Sequence, residues 1–176
     1  LNTPVVILGS ASVAQAVCFF AKLFGAVPLI VVGRRDEPLE EIRRFGADAV
    51  VNAAREDMVG AVMELTGGKG AGLVLDAAGD QQLVRDSLRM LSPGGRIAPY
   101  ATFTVKEPLA GIPEERIVNA ATGEVPAHEY LLDLVDMGVV DLSSFYSHQM
   151  PFEDVARGFE LLFKKEAVKV VFTISE

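Results

Sequence analysis

Gly9, Ala11 and Ala14 pose the first chemical question. Their spacing is close to the G-x-G-x-x-G/A pattern of a phosphate-binding turn. A β-branched run, Val5 to Leu8, stops at Gly9. A set of apolar residues at helix spacing then follows: Val13, Ala16, Val17, Phe20, Ala21 and Phe24. This is strand, tight turn, helix. Such a turn holds the pyrophosphate of a dinucleotide on backbone N–H groups and on the positive end of the helix dipole. The groups placed to do so are Gly9, the N–H groups of Ser12, Val13 and Ala14, and the hydroxyls of Ser10 and Ser12. Ala14 is the permitted alanine of the pattern. Ala11 stands where a glycine lets backbone meet phosphate, and its Cβ costs on the order of 1–3 kcal/mol, enough to weaken binding without abolishing it. The competing reading is a turn of this shape that has lost its ligand.

The next apolar run, Leu29 to Val32, ends at Gly33-Arg34-Arg35. A carboxylate at this place accepts hydrogen bonds from the ribose of NAD, and Gly33 offers none. Two arginines suit a 2′-phosphate, which guanidinium groups grip in bidentate fashion. NADP(H) is therefore expected over NAD(H), unless Arg34 and Arg35 are merely solvated or pair with Asp36 and Glu37. Cys18 is the only cysteine, so no intrachain disulfide forms, and its neighbours Val17, Phe19 and Phe20 mark it as a small buried hydrophobe. One Cys with His128 and His148 cannot make a structural zinc site. His128 reads as a surface or capping residue and His148 as structural. No residue is expected to be catalytic and none to bind metal. Asp76 either serves the site or caps the turn after it.

The elements that must position these groups alternate strictly. Strands are expected at Val5–Leu8, Leu29–Val32, Ala49–Val51 at an edge, Leu73–Asp76, Arg96–Ala98 and Arg116–Ala120. Helices are expected at Ser12–Phe24, capped by Ser10 or Ser12, from Pro38 to Phe45, at Glu56–Leu65, after an Asp80 cap, and at Ala127–Met137. Ser92-Pro93-Gly94-Gly95 reads as a turn, and residues 102–115 as an irregular stretch. The tail gives a possible strand at Tyr146–Met150, a helix from Pro151, and a last strand at Val168–Ile174. This alternation predicts a doubly wound α/β fold: a parallel sheet of six strands in the order 3-2-1-4-5-6, with ligand at the carboxyl ends of strands one and four. Residues 1–145 form the dinucleotide-binding domain in this reading, and 146–176 a closing segment.

Composition narrows the partners. With 176 residues, half of them hydrophobic, the chain can bury a proper core. Its net charge of −8 argues against nucleic acid or an anionic membrane as partner. No apolar run approaches the roughly 20 residues of a membrane span. The chain opens on Leu1-Asn2-Thr3-Pro4 without a signal-peptide pattern, so a fragment and a reducing, cytoplasmic setting are expected.

A series of short motifs carries a family resemblance. Ala21-Lys22-Leu23-Phe24-Gly25-Ala26 resembles A-K-x-x-G-A. Phe45-Gly46-Ala47-Asp48-Ala49-Val50 resembles L-G-A-D-x-V, and Leu65-Thr66-Gly67-Gly68-Lys69-Gly70 resembles L-T-x-G-x-G. Asp76-Ala77-Ala78-Gly79, Leu91-Ser92-Pro93-Gly94-Gly95-Arg96, His148 to Asp154 and Lys169-Val170-Val171 continue the series in order. Together they resemble the medium-chain dehydrogenases/reductases, the superfamily of zinc alcohol dehydrogenases. The resemblance implies a Rossmann-type cofactor domain, with Ala77, Ala78 and Gly79 beside the riboses and Pro99, Tyr100 and Ala101 on the nicotinamide side. It also implies a homodimer paired through strand six, and a separate catalytic domain holding the zinc. That domain is not in this chain, so no turnover is expected from it alone. A cofactor-free domain serving assembly or regulation is the alternative.

Overall fold

The structure, a computed structural model, describes residues 2–101, 111–118 and 124–174. The chain packs as two compact units, residues 1–122 and 123–176.

The first unit runs β1 (Thr3–Leu8), α1 (Ser12–Leu23), β2 (Ala26–Gly33), α2 (Asp36–Glu41), β3 (Ala49–Asn52), α3 (Met58–Leu65), β4 (Ala71–Asp76), α4 (Gln81–Ser87) and β5 (Leu91–Ala98). All five strands are parallel, in the order β3-β2-β1-β4-β5. In-register pairs Leu8↔Val32, Leu8↔Asp76 and Gly33↔Asn52 align the carboxyl ends of β1, β2, β3 and β4 on one edge. Both faces of the central strands are covered, as a parallel sheet requires. Val6, Leu8, Ile30, Val32 and Val74 meet Met58, Val62 and Val84 of the helices on one side. Side chains alternate along a strand, so Val5, Ile7, Leu29 and Val31, equally buried, face the other layer, where α1 lies against β1 and β2.

Several expectations change in detail. α2 begins at Asp36, two residues ahead of Pro38, and tightens into a 3₁₀ turn over Ile42–Phe45. Neither Ser10 nor Ser12 caps α1: Ala11 is its N-cap and no side chain accepts there. Asp80 does cap α4, its Oδ1 accepting from the Gln82 and Leu83 N–H groups. Ser92–Gly95, expected as a turn, lie within β5 as a bulge: the register jumps from Ala71↔Leu91 to Leu73↔Arg96, and Arg116 holds the excursion by donating to the Gly95 carbonyl at 2.8 Å. Of the expected sixth strand, the described residues show a bridge, Ile97↔Ile117, after a 3₁₀ turn over Glu114–Arg116. Residues 102–110 of the irregular stretch, and Asn119 and Ala120, lie outside the described residues.

The second unit holds α5 (Glu124–Asp136), β6 (His148–Pro151), α6 (Val155–Phe163) and β7 (Val170–Thr173). The last strand pairs with β6, the two running parallel around α6. Gly158 lets α6 close on β7: a Cβ there would overlap the Phe172 ring. Among the described residues, no helix is long and apolar enough to cross a membrane.

Candidate functional site

The turn after β1 sits where the sheet changes direction, between β2 and β4. Gly9 has φ +111°, and a Cβ on it would lie 3.1 Å from the backbone carbon of Ala77. Only glycine fits there, because the chain leaving β1 runs against the chain leaving β4. Ala11 has φ −87°, which any residue adopts, so a glycine at this place serves close approach and not backbone geometry. Ala11 and Val13 are exposed, and Ser10 and Ser12 are half-buried. The first intrahelical bond from a backbone amide runs from Gln15 N–H to Ala11 O. Ser12, Val13 and Ala14 precede it, so their amides stand outside the helical ladder, with no capping side chain and no acid in the first turn. Beside them Gln15 is buried with its Nε2 unpaired, contrary to the usual satisfaction of buried donors.

At the end of β2, Gly33 is buried and tightly packed: a Cβ would sit 3.1 Å from Ser10 Oγ and 3.0 Å from Leu39, so these side chains would have to give way. Arg34 is neither free in solvent nor paired with Asp36 or Glu37. Its Nη2 meets Asp80 Oδ2 at 2.6 Å. Asp36 is taken by Arg55 and Asn52. Arg35 is exposed and has no ion pair among the described residues. Burial pushes the Asp80 carboxyl up, but the Leu83 N–H, the Arg34 charge and the Gln82 N–H together hold it below the ordinary aspartate value.

Beyond β4, Asp76 is fully buried, and its Oδ1 accepts from the Ala78 and Gly79 amides at 2.9 Å each. Capping is thus a role this carboxylate performs, and it engages two amides near the expected ribose positions. The Ala77 amide is bonded to Leu8 O. Tyr100 is 43% exposed, but its N–H turns back to Ala98 O, and the buried Pro99 has none to give.

The zinc-binding dehydrogenase family matches residues 12–123. The chain belongs to that family. An alcohol dehydrogenase of Cupriavidus necator is 33% identical over 148 residues, which are 80% of this chain and 40% of that protein. The solved alcohol dehydrogenase TADH from Thermus sp. ATN1 superposes with TM-score 0.80 at 26% identity, covering 99% of this chain and 53% of that one. A solved NAD-dependent alcohol dehydrogenase gives 0.77 at 26% identity, covering 99% and 52%. The chain spans about half the length of the curated relatives it matches.

Among the described residues of this family member, no three His, Cys, Asp or Glu side chains converge as a metal site. Cys18 is fully buried; burial first, and Asp48 second, push its thiol up to about 12, so it is inert as a nucleophile. His128 is exposed on α5, and His148 Nδ1 lies 3.0 Å from Ser147 Oγ. A cavity of about 500 Å³ opens beside α2, lined by Asp36, Glu37, Glu40, Asn52, Arg55 and Glu56 among others. None of the residues expected to hold a cofactor lines it, and its carboxylates disfavour an anion. The sequence signalled Asp80 only as a cap. Its second role, on Arg34, joins residues 46 apart and follows from strand order, not from local pattern.

Proposed function

We propose that this chain is the cofactor half of an NADP(H)-linked, zinc-type alcohol or polyol dehydrogenase, with the dinucleotide laid across the carboxyl ends of β1 and β4. The start of α1 carries the reading: uncapped amides at the positive end of a helix dipole, at the switch point of a doubly wound sheet. The pyrophosphate would take the N–H groups of Ser12, Val13 and Ala14, with the Ser10 and Ser12 hydroxyls beside it. Gly33 brings no carboxylate for a bare ribose diol, while Arg34 and Arg35 bring cations for a 2′-phosphate. The likeness to an NAD-dependent enzyme weighs the other way, and only binding decides between the two nucleotides. Ala77, Ala78 and Gly79 would flank the riboses by shape and carbonyl oxygens, since their amides are engaged. Tyr100 would cover the nicotinamide side.

The nicotinamide, when bound, supplies the hydride donor or acceptor. The residues here bind and orient it. Zinc, alcohol and proton transfer belong, in this reading, to a catalytic domain toward which residues 146–176 return, so the chain alone binds without turnover. A homodimer is the assembly we assign, with light scattering as its check. Nicotinamide fluorescence tests the central reading. NADPH should bind saturably and more tightly than NADH, and Gly9→Val should abolish both by filling the contact with Ala77. Absence of either at millimolar concentration would favour a cofactor-free domain for assembly or regulation, a reading that Ala11 and the occupied amides of Ala78, Gly79 and Tyr100 support.

A further inference from the structure

Arg34 follows the end of β2, Asp80 follows the end of β4, and β1 lies between those strands. A 2.6 Å bond between their side chains therefore spans the carboxyl end of β1, where Gly9 opens the turn into α1. We infer that Asp80 sets the nucleotide preference of this site, because it holds Arg34 in a neutral pair from which a 2′-phosphate must take it.

This rests on the dinucleotide reading above. The two oxygens of Asp80 divide the work. Oδ1 accepts from the Gln82 and Leu83 amides and caps α4, and Oδ2 holds Arg34. The pair is open to water, with 58% of the Arg34 side chain and 29% of the Asp80 side chain exposed, so it is worth a factor of a few at most and can exchange. A phosphate competes well for a guanidinium, through two parallel charge-assisted bonds. Once Arg34 turns to it, the Asp80 carboxylate faces a second anion without its partner. NAD(H) meets no such conflict, having no 2′-phosphate. The remaining charges at this corner offset it only in part: Asp36 is paired with Arg55, Glu37 is a further anion, and Arg35 adds a cation.

Asp80→Asn separates the two roles. Asparagine caps a helix as well as aspartate does, so α4 keeps its start while the charge on Arg34 is released. Asp80→Ser, which also caps, is the second variant should the first fail to fold, and a thermal melt checks both. NADPH and NADH are titrated against the whole chain by nicotinamide fluorescence. The NADPH-to-NADH affinity ratio should rise about two- to fivefold over the wild-type chain. The gain should vanish on an Arg34→Gln background. An unchanged or lowered ratio overturns the inference while leaving dinucleotide binding standing. No binding of either nucleotide by wild-type or variant chain overturns the inference and the dinucleotide reading together.

Discussion

The two sheets of this molecule are both parallel, yet they are built on opposite terms. In the first, β1 and β2 are central, and Val6, Ile7, Leu8, Ile30, Val31 and Val32 are wholly buried between helical layers. In the second, β6 and β7 have only each other among the described residues, and their side chains are half-buried or exposed along their whole length. Phe159 and Phe163 of α6 point outward, Phe163 being 84% exposed. Two short strands satisfy one row of backbone groups and leave two edges open, which makes them marginal by themselves. One sheet is a finished core. The other is a two-stranded sheet that, among the described residues, pairs with nothing further.

The largest effect expected from this contrast is in the first core. Ile30→Ala removes buried methyl groups from a site that cannot collapse, and should lower unfolding stability by about 2–5 kcal/mol in a denaturant melt. Phe163→Ser should change it by less than about 0.5 kcal/mol. Equal losses would mean that the second unit is as tightly packed as the first. Amide hydrogen exchange sharpens the same point: β1, β2 and β4 should exchange only through global opening, and β6 and β7 at least tenfold faster. Uniform protection would break the comparison.

A smaller effect concerns how the first unit is pinned. Lys22 meets Asp48 at 2.5 Å, and Asp48 also accepts from the Leu29 amide at 2.8 Å, tying α1 to β2 and to the loop before β3. Burial pushes the Asp48 carboxyl up, but Lys22 and the Leu29 N–H outweigh it and hold it below the ordinary value. A carboxyl depressed in the folded state stabilises fully above its unfolded value of about 3.9 and stops doing so as pH falls through the folded one. Asp48→Asn should therefore cost about 1 kcal/mol at pH 7, screening included, and the difference from wild type should shrink in melts below about pH 4. A difference independent of pH would remove the charge from the explanation.

The motifs that carried the family resemblance turn out to brace the scaffold. Lys22 of A-K-x-x-G-A and Asp48 of the G-A-D run are partners. Thr66 of the L-T-x-G-x-G run, buried, accepts from the Gly70 amide at 3.0 Å and donates to Val62 O at 2.8 Å. Gly70, at φ +78°, leaves room for the backbone of Met90 and Leu91. They marked the family in sequence because each fixes a close approach that few residue types allow. The candidate site was legible where its chemistry is backbone: Gly9 at the turn, Gly33 without a carboxylate, and the exposed start of α1. It was not legible where side chains meet across the fold, as with Arg34 and Asp80.

The sequence by itself determined the alternation of strand and helix, the positions of the turns and the strand order from β3 to β5. Hydrophobic periodicity and glycine act over a few residues, and right-handed crossovers leave few ways to join them. Only the tertiary structure decided that Arg34 would face Asp80, that Asp76 would take the amides of Ala78 and Gly79, that β5 would carry a bulge, and that Ile117 would bridge to Ile97. These depend on which strand ends are brought side by side. Charge pairing and hydrogen bonding act through space, across separations that no local pattern records.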